Sequence, residues 1–118
     1  MKNLAPNIFR QRLLIEGFYK IKIDARIIKS FFIGITKNLK LKMYGKPIIF
    51  SPGVIGKKEN QGYDAFVPLI DSGISAYVWS SAKFLSIVIY TCKGFDKRKA
   101  IKFTKEFFKI NELESLSF

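Results

Sequence analysis

The sequence has no histidine, one cysteine and only 9 acidic residues, and each shortage removes a class of chemistry. Without histidine there is no Ser-His or Cys-His catalytic pair and no His-containing metal site. A single cysteine excludes an internal disulfide and a zinc cluster, and fits a reducing, cytoplasmic setting. No apolar run approaches the ~20 residues of a membrane-spanning helix, so no membrane partner is expected. Met1-Lys2-Asn3-Leu4-Ala5-Pro6 also lacks the apolar stretch of a signal peptide. Reactive groups must therefore come from Ser, Cys, Tyr, Lys or carboxylates.

What is present is apolar and basic. A hydrophobic fraction of 48% with 12 Phe in 118 residues supports one packed domain spanning residues 1–118. The net charge of +12 raises a basic nucleic-acid-binding domain as one reading. The basic residues are dispersed, however, with tight clusters only at Lys57-Lys58 and Lys97-Arg98-Lys99, and no aromatic-basic motif accompanies them. Solvated lysine faces or an acidic small molecule suit this charge equally well, and charge alone weighs little for nucleic acid.

Periodicity predicts a strand over Arg12–Ile23, then a helix capped by Asp24 and running to about Leu39. Ile27, Ile28, Phe31, Ile35 and Leu39 form its apolar stripe. Gly45 and Pro47 mark a turn before a short strand at Ile48–Phe50, and Pro52–Gly62 reads as a loop. Three strands follow in close succession, at Ala65–Ile70, Ile74–Trp79 and Phe84–Thr91. Asp71-Ser72-Gly73 reads as a tight connection with the serine at its tip, and Ser80–Lys83 forms the next turn. Asp96 caps a second helix, with Ala100, Ile101, Thr104, Phe107 and Phe108 on one face and lysines around the other. The tail from Ile110 to Phe118 is weakly patterned. This order predicts an α+β two-layer sandwich, with two helices on one face of a largely antiparallel sheet. Phe-rich strands leave the opposite face apolar as well, which calls for cover such as a second copy.

Taken singly, Ser72 is an ordinary turn residue, Cys92 a small buried hydrophobe, and Tyr77 and Trp79 strand aromatics. Taken together, Asp71, Ser72, Ile74, Ser75, Trp79, Thr91 and Cys92 match, without a gap, a pattern that resembles the small bacterial and archaeal S-adenosylmethionine decarboxylases. Phe50-Ser51-Pro52-Gly53 is similar to that family's Phe-x-Pro-x-Gly loop. The resemblance implies a pyruvoyl-dependent proenzyme of polyamine (spermidine) synthesis that cleaves itself between Asp71 and Ser72. Ser72 would attack the Asp71 carbonyl, and β-elimination would leave a pyruvoyl group at position 72 as a self-generated cofactor. That group would form a Schiff base with the S-adenosylmethionine amine and act as electron sink, with Cys92 as proton donor. A homodimer with sites near the subunit interface is also implied. The match departs at Gly73 and Tyr77, where the family has histidines, and at Ser80-Ser81, where it has Pro-Glu. Tyr77 takes the position of the histidine assigned to proton removal during β-elimination. The alternative is an unprocessed, non-catalytic homologue of the same fold, acting as a binding or regulatory partner.

Overall fold

Both helices begin where an aspartate offers a cap. In the computed structural model, which describes residues 1–51 and 61–118, the Asp24 carboxylate accepts from the Ile27 N–H at 2.9 Å and opens α1 (Ala25–Asn38). Asp96 accepts from the N–H groups of Arg98 and Lys99 and opens α2 (Lys97–Phe108). Lys109, in the left-handed region with φ 54°, ends the second helix.

The remaining elements are β1 (Gln11–Phe18), β2 (Ile48–Phe50), β3 (Gly62–Leu69), β4 (Ser72–Trp79), β5 (Phe84–Thr91) and β6 (Leu113–Ser117). They form one antiparallel sheet in the order β2-β3-β4-β5-β1-β6. The two-residue side-chain period sends Leu13, Ile15, Val67, Ile74, Ala76, Ile87 and Ile89 to the helix side, all nearly inaccessible to water. There they meet Phe31, Phe32, Ile35 and Phe108 in a single core. Phe31 is its ring hub, with centroids 4.7 Å from Phe108, 5.4 Å from Phe107 and 6.0 Å from Phe103. Gly34 permits this approach of the helices, because a Cβ there would stand 2.5 Å from the Phe103 ring.

The two-layer α+β sandwich is therefore the one expected from the sequence, with three local differences beyond the earlier start of β3, at Gly62 instead of Ala65. β1 stops at Phe18 rather than Ile23, because Tyr19 and Lys20 turn their N–H groups to the carbonyls of Lys83 and Phe108. Burial pushes the Tyr19 phenol above its usual pKa; Tyr63 adds to the effect and a hydrogen bond to Ser80 opposes it. The tail forms a sixth strand, β6, on the free edge of β1. Only Leu113 of that strand is even half-buried, so no alternation betrays it. Arg12 lays its guanidinium over the Phe118 ring at 5.4 Å and fastens the end of that strand. The third difference is the Ser72 turn, described below. Residues 52–60, including most of the loop expected at 52–62 and Pro52 and Gly53 of the Phe-x-Pro-x-Gly match, lie outside the described residues.

No helix among the described residues is long and apolar enough to cross a membrane. The sheet face opposite the helices is open and carries Phe18, Ile48, Phe50, Phe66, Tyr77 and Tyr90, each more than a third exposed.

Phe31→Ala removes the ring hub, and the expected loss is about 3–5 kcal/mol in urea unfolding. Phe103→Ala, at a half-buried position, loses less.

Candidate active site

The hairpin between β3 and β4 turns on two residues, since Leu69 pairs with Ser72 and only Ile70 and Asp71 lie between them. Asp71 is the residue in the left-handed region, with φ 52°, a conformation that aspartate tolerates better than most side chains. Ser72 is therefore the first residue of β4 and not the tip of the turn, which corrects the reading from sequence. Gly73 lies within the strand, and its need for glycine has a different cause. A Cβ at Gly73 would stand 2.4 Å from the Phe66 ring, so glycine lets that ring lie across the strand next to the serine.

β5 delivers the other half of the site. Thr91 is fully buried, and its Oγ1 donates to the Lys93 carbonyl at 2.6 Å, fixing the path of the chain as it leaves the sheet. Cys92, held in that bend, makes two contacts with the hairpin. Its backbone N–H donates to Ser72 Oγ at 2.9 Å, and its thiol donates to the Asp71 carbonyl oxygen at 2.9 Å. One residue thus orients a hydroxyl and polarises the carbonyl immediately before it. The arrangement suits intramolecular attack: the Asp71 oxygen, where negative charge would develop, already has a donor.

The structure brings Asp71, Ser72 and Cys92 together and leaves Tyr77 apart. Tyr77 follows Ser72 by five residues, about 17 Å along a strand at ~3.4 Å per residue, and points to the other face. It stands opposite Asp64 of β3 and Ser86 of β5 on the open sheet face. Ser75 shares that face, and Ser86 donates to Glu16 of β1 at 2.9 Å.

Two clefts flank the serine. On the open face a cavity of about 360 Å³ is lined by Phe66, Asp71, Ser72, Gly73, Ser75, Val88 and Tyr90. On the helix side a cavity of about 370 Å³ includes Asp71, Ser72 and Cys92 together with Lys40, Lys42 and Lys93. The lysines drew no notice in the sequence, since 40–42 and 93 meet only through the fold. Among the described residues no cluster of His, Cys, Asp or Glu could hold a metal.

A family profile described as S-adenosylmethionine decarboxylase matches residues 18–118. The chain belongs to the S-adenosylmethionine decarboxylase family. The crystal structure of the adenosylmethionine decarboxylase from Aquifex aeolicus VF5 shares its fold, with a TM-score of 0.69 over 94% of this chain and 89% of that one. Sequence identity in that comparison is 15%, so within the S-adenosylmethionine decarboxylase family this chain is a divergent member. No curated protein sequence matches it.

Thr91→Val deletes the donor that ties the bend before Cys92. The expected cost is about 1–2 kcal/mol in urea unfolding, because the Lys93 carbonyl loses its partner.

Proposed function

We propose that the chain is a pyruvoyl-dependent S-adenosylmethionine decarboxylase proenzyme of polyamine (spermidine) synthesis. It cleaves itself between Asp71 and Ser72 and works as a homodimer. The observation that carries this reading is the pair of 2.9 Å hydrogen bonds from Cys92 to Ser72 Oγ and to the Asp71 carbonyl.

Processing starts with the Ser72 hydroxyl attacking the Asp71 carbonyl carbon. The new C–O bond forms as the amide C–N bond breaks, the nitrogen takes up the hydroxyl proton, and an ester results. Negative charge on the carbonyl oxygen is met by the Cys92 thiol. The left-handed Asp71 in a two-residue turn supplies backbone strain that favours opening of the amide. Loss of the Ser72 Cα proton then expels the Asp71 carboxylate from Cβ, leaving dehydroalanine, which water converts to the pyruvoyl group with release of ammonia. The residues fit that cofactor, since Ser72 would head its chain with the Cys92 backbone N–H and thiol beside it. A pyruvoyl carbonyl serves as an electron sink for decarboxylation of an amino acid. Cys92 is then the proton donor to the carbon that loses carbon dioxide. The substrate reaches the Ser72 end of the hairpin between the two clefts, with Cys92 on the helix side and the Phe66 and Tyr90 rings on the open face offering aromatic surface to a sulfonium cation.

The open face also argues for the dimer. Exposed apolar side chains spread across a whole sheet face call for burial against another surface. Tyr77 lies on that face and is too far from Ser72 in its own chain, so as a base it would act on the serine of a second copy.

The absence of histidine favours a second reading, a chain of this family that remains uncut and binds the nucleoside without reacting.

Intact mass under denaturing conditions separates the two readings. Chains of residues 1–71 and 72–118, the latter carrying a pyruvoyl cap, support the proenzyme, and Ser72→Ala then yields one full-length species. An uncut wild-type chain that releases no carbon dioxide from carboxyl-labelled S-adenosylmethionine favours the non-catalytic homologue. Tyr77→His is expected to speed cleavage at least tenfold if the slow step is proton removal. Val88→Asp, in the middle of the open face, is expected to halve the mass seen by light scattering while leaving the circular dichroism spectrum unchanged.

A further inference from the structure

We propose that the helix-side cleft behind the Ser72 turn is a binding site for a small polyanion, a phosphate- or carboxylate-bearing molecule with two or more negative charges. The inference does not depend on self-processing.

Three lysines line this cleft from two distant parts of the chain. Lys40 and Lys42 come from the connection after α1, and Lys93 from the bend after β5. The backbone fixes where each one stands. Lys40 adopts φ 58° and donates its N–H to the Lys37 carbonyl, while the next N–H, of Leu41, donates to Thr36 at 2.8 Å. The Lys93 carbonyl is tied to Thr91. All three side chains are exposed, and none makes an ion pair among the described residues. The lone carboxylate lining the cleft is that of Asp71.

An adjoining cavity of about 450 Å³ shares Lys40 and Lys93 and adds Asn38, Lys99 and Asp96. Asp96 spends an oxygen on the N–H groups of Arg98 and Lys99. Four lysines therefore stand around two neighbouring cavities against two carboxylates. Like charges lining one cleft repel one another, and Leu41 and Leu69 add apolar surface to its wall. A multiply charged anion relieves that repulsion, whereas a sulfonium cation adds to it. The cavity is of ordinary small-ligand size. An occupant would touch Asp71, Ser72 and Cys92 from behind, opposite the aromatic cleft.

The test is calorimetric titration of the full chain at low ionic strength with inorganic pyrophosphate and, separately, with citrate. Saturable binding at one site per chain is expected for at least one of them, weakening as chloride is raised. Lys40→Gln combined with Lys42→Gln is expected to weaken that binding roughly tenfold. Lys102→Gln combined with Lys105→Gln, on the exposed face of α2, leaves it unchanged. Binding of pyrophosphate alone identifies a phosphate ligand and binding of citrate alone a carboxylate ligand, and either supports the site. Absence of binding by both probes, or equal loss in the α2 variant, overturns it. Such a result leaves the decarboxylase reading untouched, just as an uncut chain leaves the anion site untouched.

Discussion

The two bonds from Cys92 hold the whole site together. A serine at the start of a strand would otherwise rotate freely and present no defined geometry to the carbonyl before it. The backbone N–H of Cys92 fixes the hydroxyl oxygen, and the thiol fixes the carbonyl oxygen, so nucleophile and electrophile are referenced to one residue. That residue is itself fixed by its neighbour. Thr91 is buried in the core and spends its hydroxyl on the Lys93 carbonyl, so the bend cannot drift without disturbing β5. Beneath them Leu69, Ile74 and Ile89 anchor the three strands to the helix layer. A turn and a bend supply this precision because each is tied at a strand end over a packed core.

The link between Ser72 and Cys92 was legible in the sequence because antiparallel strands are metric objects. Two hairpins with short turns and eight-residue strands bring the start of one strand beside the end of the next. The helices were legible for a similar reason, since a capping aspartate followed by a 3.6-residue apolar stripe leaves few alternatives. The failures all involve information that is not local. The turn was misplaced by one residue because aspartate and serine both favour turns, and only the strand register shows which sits at the tip. The demand for glycine at 73 comes from the Phe66 ring on the neighbouring strand, not from the backbone angle. β6 is an edge strand whose ladder is made by backbone groups, so its exposed side chains carry no period. Lys40, Lys42 and Lys93 converge only because the α1 exit and the β5 exit reach the same end of the sheet.

Tyr77 shows where matching by position and matching by geometry part. By sequence spacing it occupies the place of a processing group. By structure it stands on the opposite face from Ser72, several strand residues away, among the aromatic side chains of the open face. Both statements hold at once if the open face belongs to an interface between two copies, because stacked sheets place one chain's strand interior over the other's strand end. The apolar character of that face then has a catalytic reason in addition to an energetic one: burial brings together groups that a single chain keeps apart.

Charge divides the molecule in the same way. The open face carries Glu16, Asp64 and Glu114 with Arg12 among its aromatic residues, and most of the cationic excess sits with the helices and their exits. A net charge of +12 would slow the approach of a cationic substrate to this protein if it were spread evenly. On the decarboxylase reading proposed above, segregation would remove the conflict, because a sulfonium entering from the open side would meet ring faces and carboxylates before ammonium groups. The lysines at the back of the turn would then suit the anion proposed for that cleft. The Ser72 hairpin is only one residue thick between those two environments, so its carbonyl and hydroxyl feel both. Charge placed behind the turn bears on the same Asp71 carbonyl oxygen that the Cys92 thiol polarises from the side.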